Sequence, residues 1–160
     1  PRLTCRLKGY NKFSPKRIIL DKNLDIKLKS YIFKSAKKGN TILFYNSSNT
    51  AKIKVLKKKG LTLIKTKVDH KGLLDLKIVL KKLFILGTRS LLVEGGDKIS
   101  KNLIKKRLID TFYLFQSPKI LRINNINQEF TSFGILNDKY KKVSKTTSKL
   151  AKDNITIYKR

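Results

Sequence analysis

Three observations predict an α/β fold with a mainly parallel sheet flanked by helices and a C-terminal antiparallel hairpin. Continuous apolar runs, Thr41-Ile42-Leu43-Phe44-Tyr45 foremost, fit strands covered on both faces. Segments with helical spacing alternate with such runs through the middle of the chain, which implies right-handed βαβ units. Near the C-terminus, Lys139–Thr147 and Asn154–Tyr158 read as strands whose connection, Ser148–Asp153, is short enough for an antiparallel return.

The elements follow in order. In Pro1–Gly9, Leu3, Cys5 and Leu7 alternate with Thr4 and Arg6, so the segment reads as a strand or an extended loop. Lys12–Pro15 is a turn, and Lys16–Asp21 a buried strand closed by an acid. Lys22–Lys38 is polar and gives no assignment; Lys37-Lys38-Gly39-Asn40 is a break. After the strand Thr41–Tyr45, Asn46-Ser47-Ser48-Asn49 offers helix N-caps. Ala51, Val55 and Leu56 follow at helical spacing, and Gly60 stops the helix. Leu61–Thr66 is the third strand, with Leu61 and Leu63 on one face. Lys71-Gly72 turns the chain into a helix whose apolar stripe is Leu73, Leu76, Leu80 and Leu83, ended by Gly87.

Leu91-Leu92-Val93 then reads as a short strand, with Glu94 at its carboxyl end and Gly95-Gly96 turning into a helix marked by Ile99, Leu103 and Ile104 through about Leu108. Glycines let a ligand approach the backbone closely. The first N–H groups of the helix and its positive dipole end suit a phosphate. Glu94 would lie just beyond the carboxyl end of a strand, where open α/β sheets bind ligands. Asp110–Phe115 is a further strand, Gln116–Leu121 leaves the sheet, and the polar stretch Arg122–Asp138 is expected to be loop.

A chain of 160 residues suffices for one domain with one core. It contains no apolar run of about 18 residues and no signal-peptide pattern, so neither a membrane span nor a membrane partner is expected. There is no Met anywhere, so Pro1 is expected not to be the natural start. Cys5 and His70 are each the sole residue of their kind, which excludes an internal disulfide framework and a Cys/His zinc site within the chain. Cys5 is expected to be a small residue in an early strand, and His70 a solvated loop residue. The net charge of +29, from 39 Lys+Arg against 10 Asp+Glu, raises a nucleic-acid-binding reading. Against it, the lysines are spread over every predicted helix and loop, Ile and Asn are abundant as well, and the aromatics do not alternate with cations as a stacking platform requires. No nucleic-acid partner is expected; the field would still attract small anions.

Several of these stretches, in the same order, resemble the reductase domain of the bifunctional riboflavin-biosynthesis deaminase/reductase. Pro1-Arg2-Leu3-Thr4-Cys5-Arg6-Leu7 resembles its "D-D-P-R-L-T-x-R" segment, and Arg17-Ile18-Ile19-Leu20-Asp21 its following strand. Asp75-Leu76-Lys77 with Leu80 and Leu83 is similar to its next helix, and Leu91-Leu92-Val93-Glu94-Gly95-Gly96 to its most diagnostic stretch. Leu108-Ile109-Asp110 and Ser117-Pro118-Lys119-Ile120-Leu121 resemble its "L-V-D-E" and "A-P-K-L-L-G" pieces, although Arg122 replaces the final glycine.

The resemblance implies a dihydrofolate-reductase-like fold, an NADPH cofactor, a phosphorylated ribosylaminopyrimidine substrate and a cytoplasmic enzyme that reduces the ribosyl group to ribityl. It implies that Leu3, Arg6 and Glu94 contact substrate, with Arg6 holding the sugar phosphate and Glu94 placed at the reacting sugar. Gly96, Asp97, Lys98, Ile99, Ser100, Lys101 and Asn102 would lie along the cofactor phosphates, and Lys22 near the cofactor at a neighbouring strand end. Asp97 sits awkwardly there, because an acid at a helix start repels phosphate while it caps the helix. The family's domain begins earlier, with a strand, a helix and a "T-x-x-x-D-D" run; residues 1–160 are therefore expected to be one reductase domain lacking those parts and any upstream deaminase domain. A homodimer is expected by resemblance. Competing readings are a basic nucleic-acid-binding α/β domain and a sister reductase with another substrate.

Overall fold

The computed structural model describes residues 2–117, 122–123, 126–127, 130–147 and 153–160. Pro1, the Pro118–Leu121 motif and the Ser148–Lys152 part of the hairpin connection lie outside the described residues. The chain divides into two compact units, Pro1–Arg89 and Ser90–Arg160.

The first unit is built on a parallel sheet, β1 (Arg17–Leu20), β2 (Thr41–Tyr45) and β3 (Thr62–Lys65), in the order β1-β2-β3. Every residue of β2 is buried, as its continuous apolar run requires. Alternation along the strand serves two cores. Leu43 and Tyr45 join Leu24, Ala36, Leu56 and Leu61 on one face; Ile42 and Phe44 join Leu74, Val79 and Leu83 on the other. The first face is covered by α2 (Thr50–Lys58), whose N-cap Asn49 accepts from the Lys52 N–H at 2.9 Å. Its inward stripe is Ile53 and Leu56; Ala51 and Val55, expected to share it, are exposed. The other face is covered by α3 (Leu76–Ile85), capped by Asp75, whose Leu76, Val79 and Leu83 are buried. Short α1 (Tyr31–Lys34), capped by Ser30, lies within the stretch that composition left unassigned. Gly60 closes α2 at φ 98°, and a Cβ there would stand 2.9 Å from the Lys38 nitrogen.

Arg2–Gly9 is not a strand. Leu3 adopts φ 52°, and the chain turns back through the Tyr10 N–H donating to the Leu7 carbonyl at 3.0 Å. Period-two alternation alone does not secure a ladder partner, and Cys5 accordingly sits in a loop. His70 is exposed in a turn, as expected.

The second unit contains α4 (Asp97–Lys105), β4 (Thr111–Gln116), the short pair β5 (Arg122–Ile123) and β6 (Ile126–Asn127), α5 (Phe133–Lys139), β7 (Lys141–Thr147) and β8 (Asn154–Lys159). Its three-stranded sheet runs β4-β8-β7, antiparallel throughout. The antiparallel part is thus larger than a terminal hairpin, because β4 pairs with β8. Ile104, Leu114, Leu136, Tyr140 and Tyr158 form the core.

Three expectations change here. Leu91–Val93 is not a strand: it has no ladder partner among the described residues, and Leu92 is 80% exposed. Helix α4 stops at Lys105, not Leu108. Arg107 at φ 51° closes it with N–H donations from Arg107 to Ile104 O and from Leu108 to Leu103 O, the paired pattern usually built on glycine. The stretch read as loop contains α5, which packs Leu136 into the core with Ile135 beside it.

Arg17, the first residue of β1, is 4% exposed and meets only neutral acceptors. Its Nη2 donates to Thr41 Oγ1 at 2.8 Å, its Nη1 to Ser35 Oγ at 2.7 Å, and its Nε to Thr41 Oγ1 at 3.2 Å. The planar fork ties the start of β1 to that of β2. Replacing Arg17 by Ala leaves buried acceptors unmatched and is expected to cost about 2–4 kcal/mol by urea denaturation. Lys, which keeps charge but not the fork, should recover less than half of that loss.

Candidate functional site

The junction from Gly95 into α4 is shaped by a missing side chain. A Cβ on Gly95 would stand 2.2 Å from Ile99 Cγ2, so the loop lies directly on the first turn of the helix. Ile99 is β-branched and on a helix, and has little rotamer freedom with which to yield. Gly96 is the N-cap, with φ −76° and ψ 178°, a backbone any residue adopts. A Cβ there would meet nothing within 4 Å. The two glycines therefore differ: Gly95 is required by packing, whereas Gly96 keeps the space before the helix open.

The first intrahelical bond of α4 runs from the Ser100 N–H to the Gly96 carbonyl. The N–H groups of Asp97, Lys98 and Ile99 precede it, and Gly96 offers no side chain to cap them. These donors and the positive dipole end suit an anionic group. Lys98 is exposed, and Lys101 and Asn102 are half-buried on the same helix. Glu94 is exposed in the preceding loop, not at the end of a paired strand.

The side chain of Asp97 turns to α5. Thr131 Oγ1 donates to Asp97 Oδ2, and Ser132 Oγ donates to Oδ1 at 2.7 Å. The Thr131 hydrogen bond is the main cause that holds the Asp97 carboxyl below its ordinary range. Partial burial opposes it, and Ser132 and the Lys101 charge add to it. The clip fixes the direction of the Asp97 side chain but leaves its negative charge at the helix start. The carboxylate oxygens are engaged by the segment before α5, and Ser132 is fully buried.

In the first unit, an open hollow of about 390 Å³ is lined by Arg2, Thr4, Arg6, Asn11, Ser14 and Tyr31. Cys5 also lines it. Leu3 is half-buried beside these residues in sequence, at its left-handed backbone position. Lys22 follows β1 at the carboxyl end of the parallel sheet. Its carbonyl accepts the Asn46 N–H at 2.8 Å, which joins it to the end of β2. Leu3, Arg6 and Lys22 thus belong to the first unit, and Glu94 and Gly96–Asn102 to the second. Residue-type reasoning overlooked Arg2, Tyr31, Thr131 and Ser132. The Thr-Ser pair just before Phe133 was a readable helix-start signal; nothing in the spacing pointed to Tyr31.

Asp97→Ala is expected to lower stability at pH 7 by about 1 kcal/mol, the value of charge-assisted hydrogen bonds reduced for partial exposure. Because the folded-state pKa is depressed, this contribution is present above the unfolded value of about 3.9 and is lost as pH falls through the folded value. Urea denaturation should show the gap between native and variant constant from pH 7 to about pH 5 and narrowing progressively as the pH falls below that. A gap independent of pH would remove the carboxylate from the clip.

The family described as the RibD C-terminal domain matches residues 1–149. The riboflavin biosynthesis protein RibD of Aquifex aeolicus is 34% identical over 121 residues, covering 76% of this chain and 32% of that protein. The protein of the same name from Actinobacillus pleuropneumoniae is 26% identical over 121 residues, covering 76% of this chain and 31% of its own. The chain therefore spans about a third of the length of these curated relatives. Among solved structures, a pyrimidine reductase-like protein from Corynebacterium diphtheriae superposes with a TM-score of 0.67 at 17% identity, over 91% of this chain and 61% of that one. Acinetobacter baumannii RibD gives 0.65 at 19% identity, over 91% and 37%. The riboflavin biosynthesis reductase Rib7 of Saccharomyces cerevisiae gives 0.63 at 14%, over 96% and 77%. The dihydrofolate-reductase-like fold expected from the motifs is the fold they share. With its match extending over most of its length, the chain belongs to the RibD C-terminal domain family.

Proposed function

We propose that this chain is the reductase part of a cytoplasmic riboflavin-biosynthesis enzyme, reducing the ribosyl group of 5-amino-6-(5-phosphoribosylamino)uracil to ribityl with NADPH. The observation that carries the reading is the start of α4, where uncapped N–H groups face an open position at Gly96. That arrangement fits the anionic bridge of a dinucleotide. Family membership supplies the reaction class.

NADPH, when bound, supplies a hydride to the C=N centre of the ring-opened sugar. The chain's part is positioning, which can contribute several kcal/mol to such a step without any nucleophile. Gly96 through Asn102 receive the cofactor phosphates, with Asp97 held aside by Thr131 and Ser132. Lys98 and Lys101 add positive charge along the helix, and Lys22 serves the cofactor from the end of β1. Arg6 grips the sugar phosphate through its two-pronged guanidinium, and Leu3 gives the substrate an apolar contact. Glu94 accepts a hydrogen bond from the sugar or base and orients the reacting carbon.

The test is NADPH consumption with the ribosylaminopyrimidine phosphate, measured for this chain and for a version extended upstream. Turnover in the extended form is expected; its absence there would overturn the reading. Glu94→Gln should lower kcat about 10–100-fold. Gly96→Val should weaken NADPH binding by about tenfold, roughly 1.4 kcal/mol, with a small fall in Tm, because the valine enters open space but caps the helix less well than glycine. Normal NADPH affinity in that variant would place the phosphates elsewhere.

A further inference from the structure

We infer that Arg2 is a second holder of the substrate phosphate and that Tyr31 positions it. The inference rests on the reading of Arg6 as the phosphate contact and extends that site. Both arginines line one hollow, and no acidic residue lines it with them. Neither arginine makes an ion pair among the described residues. A bound anion would supply the counter-charge that the lining of the hollow lacks. Arg2 lies with its Cζ 5.3 Å from the centre of the Tyr31 ring. Stacking on an aromatic face orients the plane of a guanidinium and leaves its N–H edge free for paired bonds to oxygen.

The local backbone brings these residues together. In an extended strand Cys5 would face away from Thr4 and Arg6, yet all three line the hollow. The turn begins at Leu3, with φ 52°, and is held by the Cys5 N–H donating to Ser14 Oγ at 3.1 Å. Ser14 Oγ in turn donates to the Asn11 carbonyl at 2.7 Å. Ser14 is therefore occupied in closing the loop, which leaves the arginines, Thr4 and the Asn11 amide to meet a ligand. Two guanidiniums match a phosphate monoester, which carries nearly two charges and three terminal oxygens, better than a phosphodiester with one charge and two. The site thus selects a sugar phosphate over a nucleic-acid backbone.

Cys5, the chain's sole cysteine, reports on the hollow without requiring turnover. Its alkylation by iodoacetamide can be followed by mass spectrometry as ribose 5-phosphate is added. Ribose 5-phosphate is expected to slow the modification in a saturable way, and ribose is not. Arg2→Gln and Arg6→Gln should each raise the concentration for half-protection about tenfold or more. Tyr31→Phe, which keeps the ring, should match the native protein, and Tyr31→Ala should fall between. Both arginines are exposed, so their variants should keep the native Tm. Undiminished protection in Arg2→Gln, with loss in Arg6→Gln, would overturn the role of Arg2 and leave Arg6 standing. No protection in the native chain would remove the hollow as a phosphate site. Protection without NADPH consumption in the extended enzyme would instead sink the proposed reaction and keep the clamp.

Discussion

The close approach of Gly95 to Ile99 is the constraint on which the candidate cofactor surface depends. With no Cβ at Gly95, the loop rests on the first turn of α4. Any larger residue would push the chain off that turn or force Ile99 from its helical rotamer, an overpacking cost of about 1–3 kcal/mol. Gly96 then delivers the chain to the helix with its N–H donors uncovered. Asp97, the one acid in that first turn, is drawn to Thr131 and Ser132. The Thr131 and Ser132 hydroxyls hold that carboxylate toward the segment before α5 and keep it ionised, so the helix start retains its backbone donors with one fixed negative charge beside them. The same contacts anchor the segment before α5 to the start of α4.

In the first unit the corresponding constraint is β2. Its five residues are buried between two cores, and its neighbours on either side run parallel to it. Parallel strands end together, which sets Asp21-Lys22 and Asn46 side by side at the carboxyl edge. The Arg17 network fixes the opposite edge by tying β1 and β2 at their starts. The two carboxyl oxygens of Asp21 accept the Asp25 and Ile26 N–H groups, each at 2.8 Å, so that acid shapes the turn after β1.

Much of this was legible in the residues. The all-apolar Thr41–Tyr45 run announced a strand buried on both faces, and Leu76 with Leu83 marked the buried stripe of α3. The glycine pair followed by Ile99, Leu103 and Ile104 announced a loop running into a helix. What escaped has physical reasons. Leu91–Val93 is apolar enough for a strand, but pairing depends on a neighbour that its own residues do not specify. Arg107 takes a left-handed backbone where glycine is usual, so the end of α4 carried no signal. Helix α5 buries Leu136 fully but is short and contains Gly134, which hid its period. The hollow around Arg2 arises from a turn at Leu3, and a period-two pattern pointed the other way.

The proposed function depends on one claim: that the amides that open α4 seat the phosphates of a nicotinamide dinucleotide. Titration of the 15N-labelled chain with NADPH tests it most directly. The account predicts that the backbone amide resonances of Gly96, Asp97, Lys98 and Ile99 move along a single saturable isotherm, and that NADPH shifts them further than the adenine-free nicotinamide mononucleotide does. Saturable NADPH binding that leaves those four amides unmoved would contradict it.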